Sequence, residues 1–179
     1  MKATGIVRRI DDLGRVVIPK EIRRTMRIRE GDPLEIYTDK DGEVIFKKYS
    51  PVGELSLFAA QMCDTLSKNT GAACAVTDRD TVIAVSGLPK REVLDKRISE
   101  DLERIIESRL MYQMKSGERK LQALSDSAGY FVSVAAPILA EGDVSGSVVF
   151  LTSDASPMGE TEYKLAQTVA GFLGKQMES

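Results

Sequence analysis

Histidine is absent from all 179 residues, and cysteine occurs only twice, as Cys63 and Cys74. The missing imidazole excludes a His-based catalytic triad, a Cys-His zinc finger and the commonest side-chain general base. Two thiols cannot complete a four-thiolate zinc site. Cys63 falls in a helix-like apolar stripe and Cys74 in an apolar strand-like run, so both read as buried free thiols. Long apolar runs are absent too. None approaches the roughly 20 residues needed to span a bilayer, and the opening residues hold no apolar stretch of the kind a signal peptide carries. There is no internal repeat and no low-complexity tract. These gaps point away from an enzyme, with no metal or cofactor expected, and toward a cytoplasmic protein.

What is present is a globular composition, 42% apolar and 29% charged, ample for a packed core. The net charge of −2 conceals an asymmetry. Residues 1–30 hold nine Lys and Arg against four Asp and Glu, a net of +5, and the remainder holds 16 against 23, a net of −7. A split of that kind marks one end for a polyanion, or a basic face that is merely solvated.

The first segment reads as strand, turn, strand, helix, strand, turn, strand. Residues 5–10 and 15–18 are β-branched runs around Asp11-Asp12-Leu13-Gly14, with Asp12 as turn former and Gly14 supplying backbone freedom. Pro19 suits the first turn of a helix over about 19–26. Residues 34–38 and 44–48 form a second hairpin through Asp39-Lys40-Asp41-Gly42. The strands do not alternate apolar with polar. Ile6 and Val7, Val16 and Val17, and Ile45 and Phe46 are adjacent apolar pairs, so both faces of the ribbon need cover. About 50 residues cannot supply it alone, and an obligate dimer with interleaved chains follows from the pattern.

After Ser50-Pro51-Val52-Gly53 the apolar period becomes helical, giving domains at 1–51 and 52–179. Leu55, Phe58, Ala59, Met62, Cys63 and Leu66 fall within about 140° at the helical repeat, before Gly71. Strand-like runs at 73–77 and 81–85, a charged helical stretch over about 90–109, a hairpin of 130–139 with 144–151, and a helix over about 159–177 complete an α/β domain. The last helix spreads its apolar residues over about 160° of arc. That width fits a thick core helix, and equally a second oligomer interface.

Cations cluster on the first helix. With Ile22 at zero and Met26 near 40° on the buried side, Arg23, Arg27, Lys20 and Arg24 fall within an arc of about 100°. Glu21 lies outside it. A solvated helix mixes signs, so the clustering favours a polyanion partner, and grouped cations of this kind are what DNA binding needs. Arg8, Arg9 and Arg15 flank the first turn, and a guanidinium fork can hold two acceptors of a guanine or a phosphate. The plain alternative for each arginine is a surface ion pair with Asp11, Asp12 or Glu21, worth under about 1 kcal/mol.

The stretch from Lys2 to Pro19, with Leu-Gly-Arg-Val-Val-Ile-Pro at 13–19, and the continuation through Met26 and Leu34-Glu35-Ile36-Tyr37 resemble the AbrB-type transition-state regulators over about 50 residues. Length, element order and endings such as Ala170-Gly171-Phe172-Leu173 make the whole chain similar to two-domain sporulation regulators, in which an AbrB-type domain precedes a GAF-like one. The resemblance implies an all-β swapped-hairpin barrel with one short helix, an intertwined dimer, and an α/β (α+β) GAF-like regulatory domain. It implies sequence-specific binding of double-stranded DNA, with activation and repression of late forespore genes. Arg8, Arg15, Arg23 and Arg24 take the leading DNA contacts, supported by Lys2, Arg9 and Arg27. GAF-like domains hold small ligands between sheet and helices, so Arg79, Ser86, Arg91 and Tyr130 are candidate contacts for an unknown effector, or else solvated loop residues. The C-terminal helices would make a homotetramer. The AbrB-type fold also occurs in antitoxins, a rival function against which a folded 52–179 argues; a ligand-sensing GAF protein is the third reading.

Overall fold

The computed structural model describes residues 4–126 and 129–178. The chain divides into two compact units, one ending at Tyr49 and one starting at Ser50.

In the first unit, α1 (Lys20–Met26) follows Pro19, which stands at the N-cap with φ −57°. The helix closes on a Schellman turn: Ile28 N–H donates to the Arg23 carbonyl at 2.8 Å and Arg27 N–H to that of Arg24. Arg27 takes the left-handed position there, at φ +50°, which costs a non-glycine residue about 1 kcal/mol. β1 (Leu34–Thr38) and β2 (Val44–Lys48) pair antiparallel, Ile36 opposite Phe46. Asp39 shapes their turn by accepting from the N–H groups of Asp41 and Glu43, each at 3.0 Å.

Residues 5–10 and 15–18, read as strands from sequence, belong to no ladder in the single chain. Only the turn between them is closed, by Asp11 N–H to the Arg15 carbonyl and Gly14 N–H to the Asp11 carbonyl. Twelve large apolar side chains of this unit, from Ile6 to Phe46, stay exposed, and among the described residues every hydrophobic core member lies at Val52 or beyond. Met26, expected to mark the buried side of the first helix, is 54% exposed. The reason is common to all of these: within one chain nothing packs against the ribbon.

The second unit has its own core. α2 (Pro51–Glu54) and α3 (Ser56–Thr70) lead into β3 (Ala73–Thr77) and β4 (Val82–Ser86). Then come α4 (Lys90–Val93), α5 (Glu100–Ser108), β5 (Tyr112–Gln113), β6 (Phe131–Ala140), β7 (Asp143–Thr152) and α6 (Glu160–Met177). The sheet is antiparallel in the order β4-β3-β7-β6-β5. α3 and α6 cover one face over Cys74, Val76, Val148 and Phe150; α4 and α5 cover the other over Ala75, Val149 and Leu151. Successive residues thus face opposite layers, as strand geometry requires. A bulge between Val132 and Val134 switches the side each presents. It places Ser133, fully buried, where its hydroxyl accepts from Met158 N–H at 2.9 Å and donates to the Ser156 carbonyl. β6 and β7 are joined by Glu141 and Gly142, both at positive φ, a primed hairpin turn.

The charged stretch 90–109 is not one helix. Asp95, at φ +60°, breaks it, and its N–H donates to the Val82 carbonyl while Val82 N–H donates to that of Lys96. Ser99 then caps α5 by accepting from Leu102 N–H at 3.1 Å. Among the described residues no helix is long and apolar enough to cross a membrane.

α6 lies hard against β6. A Cβ added to Gly174 would stand 2.1 Å from the Leu139 carbonyl oxygen, whereas one added to Gly171, on the same helix, meets nothing within 4 Å. Gly174→Ala should therefore lower the stability of the second unit by roughly 1–3 kcal/mol through overpacking. Gly171→Ala should leave it unchanged or raise it by up to about 1 kcal/mol through helix propensity. Urea unfolding of the two variants decides; shifts of the same sign would refute the close approach.

Candidate nucleic-acid interface

The turn at 11–15 is organised by one carboxylate. Asp11 Oδ1 accepts from Arg15 N–H at 2.8 Å and from Leu13 N–H at 3.0 Å, and Oδ2 accepts from Arg15 Nε at 2.9 Å. Gly14, at φ +74°, supplies the left-handed residue. The expectation gave the turn-forming role to Asp12; the structure gives it to Asp11. The hydrogen bonds from Arg15, backbone first and guanidinium second, hold the Asp11 carboxyl below its ordinary range. Arg15 is thus tethered through Nε, its side chain 69% exposed, with its terminal nitrogens left for a further partner. The ion pair foreseen as the plain alternative is real, and it orients the arginine as well as occupying it.

Arg8 and Arg9 precede that turn and are exposed, as are Lys20, Arg23 and Arg24 on α1. Among the described residues Arg8, Arg9, Arg23 and Arg24 make no ion pair. Lys2 lies outside the described residues. Arg27 departs from the expected helical face: it terminates α1 in the left-handed conformation and is half-buried, and its carbonyl accepts from Lys48 Nζ at 2.9 Å. The helical set is therefore Lys20, Arg23 and Arg24, with Arg27 displaced by the turn it closes.

In the second unit the four candidate ligand contacts do not converge. Arg79 sits in the turn between β3 and β4. Ser86 ends β4, opposite Cys74, about 13 Å along the strand from Val82. Arg91 and Tyr130 do share a neighbour. Tyr130 Oη donates to Glu92 Oε2 at 2.5 Å, and Arg91 Nε lies 4.0 Å from Glu92 Oε1. The Glu92 hydrogen bond raises the Tyr130 phenol above its ordinary value. Sequence reasoning missed Glu92, which no spacing to Tyr130 betrays.

Comparison with known proteins joins the two units. The family described as stage V sporulation protein T C-terminal, transcription factor, matches residues 54–178, and the family described as antidote-toxin recognition MazE, bacterial antitoxin, matches residues 7–54. The chain is 54% identical over 182 residues to stage V sporulation protein T of Bacillus subtilis (strain 168), covering 99% of each. It is 65% identical over 51 residues to the transition state regulatory protein AbrB of the same organism, which is 28% of this chain and 52% of that protein. The GAF domain of a phosphoenolpyruvate-protein phosphotransferase from Acinetobacter superimposes with a TM-score of 0.56 at 12% identity, over 73% of this chain and 84% of that one. At that identity it shows the fold alone, a GAF-like one.

The Asp11 contact titrates. Because its carboxyl is held low in the folded chain, it stabilises the turn above the ordinary aspartate range, and that contribution disappears as pH falls through the lowered value. Carboxyl NMR should find Asp11 titrating below an exposed aspartate in the same protein, and Arg15→Ala, which removes the guanidinium but keeps the N–H of residue 15, should move it only part of the way back. An unshifted Asp11 in the unaltered protein would refute the tether.

Proposed function

The chain belongs to the stage V sporulation protein T family of transcription regulators, and we propose that it binds double-stranded DNA sequence-specifically as an intertwined dimer, activating and repressing late genes of the forespore. The observation that carries this reading is the pairing, in one 49-residue unit, of exposed cations with twelve exposed large apolar side chains. Covering the apolar side chains with a second copy, at roughly 1.5–3 kcal/mol each, doubles Arg8, Arg9, Arg15, Lys20, Arg23 and Arg24 across a two-fold axis. Arginines at a tight turn and on one short helix are the equipment for guanine edges and phosphates.

For the second unit the reading is assembly under effector control. Leu57 is 75% exposed, Phe172 is 41% exposed, and the Phe172 ring stands 5.4 Å from that of Phe58. An apolar ridge shared by α3 and α6 suits helix-to-helix packing between dimers, giving a homotetramer. The group of exposed Arg91 and Glu92 with half-buried Tyr130 is the better candidate for effector contact than Arg79 and Ser86, since a shared carboxylate brings its members together. A toxin-sequestering role is the weaker alternative, since residues after Ser50 build two apolar clusters rather than a disordered acidic tail.

Three measurements test this. Arg15→Ala should leave melting nearly unchanged and weaken binding to a duplex enriched from a random library. In a dimer it removes two cations, so the slope of log affinity against log salt should flatten by about two; unchanged affinity defeats the assignment. Phe172→Glu should halve the mass of the assembly in light scattering while the first unit still dimerises. Residues 1–52 alone should bind the same duplex more weakly than the full chain, and equal affinity and stoichiometry would remove the assembling role of the second unit.

A further inference from the structure

α1 has seven residues and buries none of them in the single chain. A helix this short is not stable on its own, so its pose must be set by something besides its own hydrogen bonds. Its C-terminal end is fastened to β2. Lys48 Nζ donates to the Arg27 carbonyl at 2.9 Å and lies 3.7 Å from Asp32 Oδ2. The same Asp32 oxygen accepts from Arg29 N–H at 2.8 Å. The side chain of Asp32 is only 3% exposed and that of Lys48 26%, in a unit whose large apolar side chains stay in water. Lys48 is the last residue of the ladder, opposite Leu34, so the contact joins the sheet end directly to the helix end.

A buried carboxylate is costly unless it is paired and hydrogen-bonded, and a buried ion pair adds little net stability over apolar packing. What such a pair does is define one geometry. We propose that Asp32 and Lys48 are positioning residues that fix the pose of α1 on the β1–β2 hairpin, and with it the placement of Arg23 and Arg24 against DNA. The clasp acts through the Arg27 carbonyl: it holds the left-handed residue that ends the helix, so the helix can neither extend by a turn nor rotate about its axis. The inference rests on the DNA-binding reading above.

Asp32→Asn gives a test of sign. It removes a negative charge from a DNA-binding unit, so electrostatics alone, or direct contact of a freed Lys48 with phosphate, makes binding equal or tighter. Positioning makes it weaker, by about tenfold for the library-enriched duplex, with little change for a mixed-sequence duplex. Lys48→Met should weaken specific binding to a similar extent, and the salt slope should flatten by more than the two units that two lost lysine contacts would give. Circular dichroism and light scattering accompany each isotherm. Should either variant fail to fold, Asp32→Glu keeps the charge and shifts the carboxylate by one methylene, and it should lose specific affinity while retaining non-specific affinity. Tighter or equal specific binding by Asp32→Asn overturns the proposal, as does a lowered melting temperature with unchanged affinity and slope in all three. Failure of the unaltered protein to bind any duplex would instead remove the DNA-binding reading itself.

Discussion

Apolar surface that a single chain cannot cover governs this molecule. The first unit exposes side chains from Ile6 to Phe46 on both faces of a thin ribbon, and burying such a residue is worth roughly 1.5–3 kcal/mol. The twelve are already about half covered, so completing their burial is worth roughly 10–20 kcal/mol, as much as the 5–15 kcal/mol by which a whole domain is ordinarily stable. Residues 5–10 and 15–18 accordingly close their turn yet find no ladder partner in the single chain. The same deficit ties folding to function. In the proposed dimer, a module that completes its core with a second copy would make a surface on which every cation occurs twice, related by a two-fold axis, as pseudo-palindromic DNA requires of a dimeric reader.

With no apolar core within reach, carboxylates do the local ordering. Asp11 holds the first turn through three hydrogen bonds, Asp39 holds the second hairpin through two, and Asp32 ties the loop after α1 to β2. Each is an acidic residue in a unit whose job calls for cations. Side-chain carboxylates satisfy the N–H groups that a small irregular module leaves unpaired, and two of them sit beside arginine or lysine. The acidic residues therefore lower the net charge yet raise the precision with which the remaining cations are held. Charge counting alone undervalues such a surface.

Much of the fold was legible in the sequence because its periods are clean. The runs 34–38, 44–48 and 73–77 coincide with β1, β2 and β3, the wide apolar stripe at 55–66 falls on α3 with Leu55 at its N-cap, and that at 165–177 lies within α6. What failed has physical causes. β5 is two residues long and carries no period. The stretch 90–109 has helical charge spacing throughout, but Asp95 adopts positive φ and Ser99 restarts the helix; a serine followed by Glu100 and Asp101 was a readable N-cap signal. At the candidate site, composition pointed to the arginines, and a helical wheel misplaced Arg27 because the wheel assumes that the helix continues through it. Asp11 and Asp12 are indistinguishable as turn formers until the register of the turn is known. Glu92 was invisible, since its contact with Tyr130 spans 38 residues.

The charge split between the units has a further consequence for selectivity. A uniformly basic regulator would bind duplex DNA anywhere, since phosphate neutralisation is independent of sequence. Here the first unit, residues 1–49, carries a net +3, with +5 on residues 1–30, while the second, residues 50–179, carries −5. The acidic surface is felt only within about a Debye length, roughly 8 Å at physiological salt. It therefore discourages close approach of the second unit to DNA. In the proposed homotetramer, linking two dimers would raise affinity through effective concentration, a gain that would accrue only where two sites are spaced to suit the assembly. On that proposal specificity would rest on the geometry of assembly as well as on the arginines, and an effector that alters assembly would alter which promoters are read.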